Sequence, residues 1–293
     1  PSIRFKVAKP DGTPYNLATD PAFSITGASL NLYFAWDASD VSNADAATGQ
    51  MPAGARGAPY RMRIADIKAY AVRNADGTYT TDLKTAAVPA GIAPDTTLAA
   101  GPSASAMVVL DGHPMVMVDG VAQQARARNA VGYFGTARAT LVSEAKCNAC
   151  HEQLQLHGGN RNGDPQGCLA CHNSSGAYGD DVDIAGSIAM GAMIHNIHAG
   201  KMPLFSGVTY PQSLANCEAC HLPGTYNAAR NEALPISTGP GADAMLYTDD
   251  TWSSATAGTC GTCHDSTAAT AHMTQNGGAI GVAGGKTLTP SAS

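Results

Sequence analysis

Apolar positions in the first part of the chain alternate. In "SIRFKVAK", Ile3, Phe5 and Val7 fall on one side of an extended backbone and Arg4 and Lys6 on the other, as in a half-buried strand. "SLNLYFAW", "YRMRIADIKAYAV", "SAMVVL" and "PMVMV" are further short stretches with alternation or β-branched and aromatic enrichment. The intervening "PDGTP", "NADGT", "AGP" and "LDG" are turn chemistry. Together they predict an antiparallel β-barrel or sandwich, with long loops from Ala38 to Pro59 and from Ala86 to Ser105. His113, between a turn and a strand in this reading, is expected to be a turn or surface histidine. Further on the strand period fades. "GSIAMGAMIHNIHAG" has a helical one, carried by Ile188, Met190, Met193, Ile194 and Ile197 and ended by Gly200. The remainder is expected to be mostly irregular or helical, with little regular secondary structure.

Composition sharpens the division. Phe, Tyr and Trp make up 6% of 293 residues, which is thin for a core of apolar side chains alone. The net charge is -6 with no Lys/Arg cluster, which argues against nucleic acid as the partner. No apolar run reaches the roughly 18 residues that a membrane-spanning helix needs. All eight cysteines lie beyond residue 146, in four pairs. Two domains are therefore expected, a cofactor-free β-domain at 1–137 and a cysteine-bearing domain at 138–293. The chain begins at Pro1 without an initiator methionine or leader and is expected to be processed or truncated.

Each cysteine pair has one form: "CNACH", "CLACH", "CEACH" and "CGTCH". Two CxxC pairs can hold zinc, but zinc has no use for a histidine directly after every second cysteine. A redox dithiol needs neither the histidine nor the repetition. Covalent c-type haem accounts for every part. Cys147 and Cys150, Cys168 and Cys171, Cys217 and Cys220, and Cys260 and Cys263 would each bond the two vinyl groups of one porphyrin. His151, His172, His221 and His264 would then be the proximal iron ligands. Four more histidines, His157, His195, His198 and His272, lie in the same half, which is the number needed for a distal ligand on every iron. His195 and His198, three apart on the expected helix, would reach two different haems. His157 precedes Gly158 and Gly159, where backbone could approach a macrocycle closely. Met190, Met193, Met202 and Met273 are better read as packing residues.

Four haems between residues 147 and 272 leave too little chain to wrap each one, so they would lie close together and form the core. Saturated irons leave no open substrate site and no catalytic side chain. The reading is an extracytoplasmic electron-transfer protein with four covalently attached haem c groups and bis-histidine ligation. Two alternatives stand beside it: a multihaem reductase of small inorganic oxyanions with one open haem, and a haem-bearing structural or filament subunit. Terminal metal reduction is an activity compatible with the electron-carrier reading.

"AKCNACHEQLQLHGGNR", "CLACHN", "MIHNIHAG", "CEACH" and "CGTCHDSTAATAHMTQNGG" together resemble the haem domain of the OmcA/MtrC family of outer-membrane multihaem cytochromes. The resemblance implies a Greek-key, split-barrel-like domain ahead of the haem domain. It implies a place at the outer-membrane surface or outside the cell, with the periplasm as the other compartment open to covalent haem. Implied partners are other cytochromes or a porin–cytochrome complex, and implied acceptors are metal oxides, chelated metals or flavins. It also supports His157, His195, His198 and His272 as distal ligands. Family members usually carry five haems per haem domain, so a fragment or a tetrahaem member is expected. A homo-oligomer or filament is compatible with all of this.

Overall fold

The computed structural model describes residues 2–36, 43, 57–82, 106–178, 186–226 and 233–284. Its centre is a four-stranded antiparallel sheet in the order β3 (Tyr60–Arg63), β2 (Ser29–Trp36), β6 (Ala106–His113), β9 (Ala130–Phe134). β2 and β6 pair along their full length, from Ser29 opposite His113 to Trp36 opposite Ala106. A second sheet has the order β1 (Ser2–Phe5), β5 (Tyr79–Asp82), β4 (Val72–Arg73), and a hairpin joins β7 (Met115–Val118) to β8 (Val121–Gln124).

Side chains on the central sheet point alternately to two faces, and both are covered. Leu30, Leu32, Phe34, Met62, Val108 and Leu110 face inward, where Ile3, Leu17, Phe23, Ile67 and Tyr79 complete one core. Tyr33, Ala35, Met107 and Val109 face the other way and pack on Leu169 and Ala170. Those two residues lie between the cysteines of the second CxxCH motif. Burial on both faces explains why "LNLYFAW" and "MVVL" read as continuous apolar runs rather than clean alternation.

The expected barrel or sandwich, with its Greek-key, split-barrel character, is corrected by this topology. Among the described residues no sheet closes on itself: the order runs from β3 to β9, and these two outer strands do not pair with each other. With β3 and β9 left as edges and apolar packing on both faces, the sheet stays an open wall.

Three local expectations also change. "YRMRIADIKAYAV" is not one strand: β3 gives way to helix α1 (Ile64–Tyr70) before β4 begins. Asp66 accepts from the Arg63 backbone N–H at 2.8 Å, which caps the helix start, and Ile67 anchors it in the core. "LDG" is not a turn but the interior of β6, with Gly112 at φ +133, where a Cβ would lie 2.2 Å from the Ser29 carbonyl oxygen. His113 ends that strand buried, not at the surface, and desolvation lowers its pKa. The two loops expected at Ala38–Pro59 and Ala86–Ser105 lie almost entirely outside the described residues.

Phe34 is fully buried where β2 meets the first core. Phe34→Ala is expected to cost about 3–5 kcal/mol, seen as a lower denaturation midpoint at unchanged slope.

Candidate functional site

Each CxxCH motif occupies one helical turn, so its first cysteine, second cysteine and histidine sit at i, i+3 and i+4 on one face. The first motif ends helix α2 (Glu144–His151). The second begins within a 3-10 turn at Pro165–Ala170, whose start is capped by the Asp164 carboxylate accepting from Gln166 N–H at 2.9 Å. The third lies on a 3-10 turn at Cys217–Ala219. In the fourth, Cys260 is the last residue of helix α4 (Ala255–Cys260), counting the intervening helix as α3 (Met190–His198). In the last three motifs the histidine amide donates to the first cysteine's carbonyl, at 2.9, 3.0 and 2.9 Å.

The histidine rings meet in pairs. His151 faces His198 with centroids 6.1 Å apart and planes at 70°. His172 faces His157 at 5.9 Å and 29°. His221 faces His195 at 6.1 Å and 16°. Each pair joins one motif histidine to one of the expected distal residues. No ring contact joins His264 to His272, which lies on helix α5 (Thr267–Gln275). Among the described residues, no three or more His, Cys, Asp or Glu side chains converge as a metal cluster would. All eight cysteines are free of disulfides.

Helix α3 and its flanks touch all four motifs. The Ile188 carbonyl lies 3.2 Å from His172 Nδ1, and Met190 N–H donates to the His172 carbonyl at 3.0 Å. His195 and His198 turn toward the third and first motifs. Gly191 lies against Thr259, directly before the fourth motif, and Lys201 Nζ donates to the Thr262 carbonyl within it at 2.7 Å and to Asp265 at 2.6 Å. The helix stops where the sequence says it should: Gly200 has φ +65, and Lys201 N–H returns to the Asn196 carbonyl at 2.9 Å.

Two further ties were not legible as site features. Lys146, directly before the first motif, donates to the carbonyls of Glu218 and His221 at 2.6 and 2.8 Å, which fastens the third motif to the first. Backbone bonds from Ser143 N–H to the Cys220 carbonyl and from Leu222 N–H to the Leu141 carbonyl, 3.0 and 2.9 Å, run alongside. Arg161 pairs with the buried Asp111 of β6 at 3.0 Å. A lysine or arginine beside a motif carries no sequence signal of its own.

The His157 loop turns through three successive positive-φ residues, His157, Gly158 and Gly159 at +53, +67 and +83. A Cβ on Gly159 would sit 1.8 Å from Gln124 Nε2 of the β7–β8 hairpin. The "HGG" run thus lets the loop pass close to the β-half while presenting His157 to His172.

Burial holds four imidazoles below the ordinary histidine pKa. At His157 the Arg161 charge adds to it. At His172, burial is partly offset by the Ile188 carbonyl. At His195 burial is joined by the neighbouring His221 and His198, and at His221 by Lys146. Neutral imidazole is the form that binds metal. Burial also pushes the Cys168 thiol up to about 11 and raises Cys171, opposite to the direction a redox CxxC requires.

The class of chain that carries these motifs and facing histidines is given by the comparisons. The family described as outer membrane cytochrome MtrC/MtrF-like, domains II/IV, matches residues 139–293, more than half of the chain. The chain belongs to this family of outer-membrane cytochromes, as the resemblance in its motifs led us to expect. The crystal structure of MtrC from Shewanella baltica OS185 is similar over 99% of this chain and 50% of that one, with a TM-score of 0.56 and 14% identity. That likeness is one of fold, and the chain spans about half the length of that protein. No curated protein matches it. Membership places the chain outside the cytoplasm, at the outer membrane. Among the described residues no helix is long and apolar enough to cross a membrane.

A Cβ on Gly191 would already lie 3.0 Å from Thr259 Oγ1. Gly191→Leu is expected to force α3 from α4 and lower stability by about 1–3 kcal/mol, read as a shifted unfolding midpoint. An unchanged midpoint would mean that the two helices do not depend on this contact.

Proposed function

We propose that the chain is an electron-transfer protein carrying four closely placed c-type haems, each bonded to one CxxCH motif. The observation that carries this reading is the set of three facing imidazole pairs. Two metal–imidazole bonds of about 2 Å each, plus about 1 Å from nitrogen to ring centre on either side, separate two axial rings by about 6 Å. The three pairs lie at 6.1, 5.9 and 6.1 Å. A haem iron already has four porphyrin nitrogens, so it asks the protein for two ligands and no third. The pairwise meeting of rings fits that demand.

On this reading His151 and His198 share one iron, His172 and His157 a second, and His221 and His195 a third. His264 and His272 are assigned to the fourth motif from their places in the sequence. Cys147, Cys150, Cys168, Cys171, Cys217, Cys220, Cys260 and Cys263 hold the macrocycles. When bound, each haem supplies an iron that accepts and passes on one electron. The protein's part is to hold the rings. His172 Nδ1 and His198 Nδ1 rest on the carbonyls of Ile188 and Ile194, at 3.2 and 2.9 Å, which leaves Nε2 of each ring for the metal. The division into a β-domain at 1–137 and a haem domain at 138–293 belongs to the same proposal. So do its partners: other cytochromes or a porin–cytochrome complex as donors, and metal oxides, chelated metals or flavins as acceptors.

Mass spectrometry of proteolytic peptides tests attachment. Each peptide with a CxxCH motif is expected to carry one haem, and bare peptides would sink the reading. Electron paramagnetic resonance tests ligation. The near-perpendicular His151/His198 pair is expected to give a strongly anisotropic low-spin signal, and the near-parallel His195/His221 pair a rhombic one. His198→Ala should remove the first, leave the second and produce a high-spin signal.

A further inference from the structure

The second motif is the one whose cysteine turn packs directly on the central sheet, and a charged group fills the space beside it. Arg161 lies on β11 (Arg161–Asn162), which pairs with β10 (Gln155–Leu156) around the His157 loop. Its Nε is 3.0 Å from Asp111 Oδ2, an ion pair rather than an aligned hydrogen bond. The guanidinium also donates to the Tyr33 hydroxyl and lies 5.4 Å from that ring's centre. Asn31 Nδ2 donates to Asp111 Oδ1 at 2.8 Å, and the Asp111 side chain is 1% exposed. Carboxylate, amide, hydroxyl and ring together fix where the positive charge stands.

It stands beside the second motif: Tyr33, whose hydroxyl accepts from the guanidinium, packs on Leu169 and Ala170 between Cys168 and Cys171, and Arg161 itself lies four residues after His157. The Arg161 charge acts on Cys168, Cys171, His157 and His172. The other charges there are Arg61 and Asp111, which act on Cys171, and Asp164, which acts on Cys168. At the first motif the neighbours are instead Glu144, paired with Arg128 at 2.6 Å, and Lys146, held on the Glu218 and His221 carbonyls. The four motifs are alike in sequence, but their electrostatic settings differ.

We propose that Arg161, held by Asp111 and Tyr33, is a positioning residue that raises the reduction potential of the haem on the second motif above what its ligands alone would give. The inference rests on the four-haem reading. Reduction adds a negative charge at the iron, and a cation fixed nearby in partly buried surroundings stabilises that state. The buried carboxylate beside the guanidinium opposes it and so tempers the effect.

The test is a spectroscopic redox titration of the intact haem-loaded protein and its Arg161→Gln, Arg161→Lys and Asp111→Asn variants, after a haem count on each. Arg161→Gln is expected to move one haem of four to lower potential. At that haem's wild-type midpoint, the ferrous-to-ferric ratio should fall about tenfold. Asp111→Asn should move the same haem the opposite way, and Arg161→Lys should keep it near the wild-type value. A purely structural role would shift both neutralising variants alike, so shifts of the same sign, or none, overturn the proposal. If Arg161→Gln does not mature, the Lys and Asn variants still carry the comparison. A wild-type protein without haem would instead fail the reading on which the inference stands.

Discussion

Nine residues of helix hold the cysteine-bearing half together. A helix advances about 1.5 Å and turns about 100° per residue, so His195 and His198 are separated by less than one turn of rise and by about 60° of direction. That small divergence lets one rigid element present one ring to the third motif and the other to the first. Its N-terminal flank engages the second motif through Ile188 and Met190, and its far flank engages the fourth through Lys201. Few aromatic residues are available to build a shared core, so the relative placement of the motifs depends on this helix more than on any layer of packed side chains.

The central sheet does for the second motif what α3 does for the others. Its outer face has two zones. Tyr33, Ala35, Met107 and Val109 form an apolar zone that receives Leu169 and Ala170. Toward the end of the sheet, Asn31 and Asp111 sit opposite each other in register and form a polar zone that receives Arg161. A buried ion pair is weak evidence of stability, because desolvation offsets much of the attraction. Its value here is placement: the apolar zone fixes the cysteine turn, and the polar zone fixes the loop that carries His157.

The sequence disclosed these features unevenly, for reasons that follow from range. Alternation in "SIRFKVAK" and "SLNLYFAW" depends only on neighbouring residues, and β1 and β2 lie within those stretches. The barrel expected from the same strands does not form, because closure depends on which distant edges meet. "YRMRIADIKAYAV" misled because its first residues do form a strand and only the Asp66 cap turns the chain into α1. "LDG" misled more deeply: Asp111 and Gly112 have turn chemistry, yet each is used inside β6, the aspartate against Arg161 and the glycine against the Ser29 backbone. The motifs themselves were plain, since a spacing of i, i+3, i+4 needs only one turn. Which distant histidine faces which motif could not be read, because that depends on where α3 lands.

The backbones of the four motifs sharpen this point. One ends a two-turn helix, two sit on 3-10 turns and one closes a short helix, yet each brings its histidine back over the first cysteine. What the chemistry requires is therefore the turn and not the element around it. The surrounding fold is free to differ from motif to motif, and it does: the first leans on Glu144 and Lys146, the second on a sheet and an ion pair, the fourth on α3 and Lys201. Interplanar angles of 70°, 29° and 16° reflect the same freedom. A chain built this way can repeat one local motif four times and still give three of the copies different ring geometries and each copy different charged neighbours.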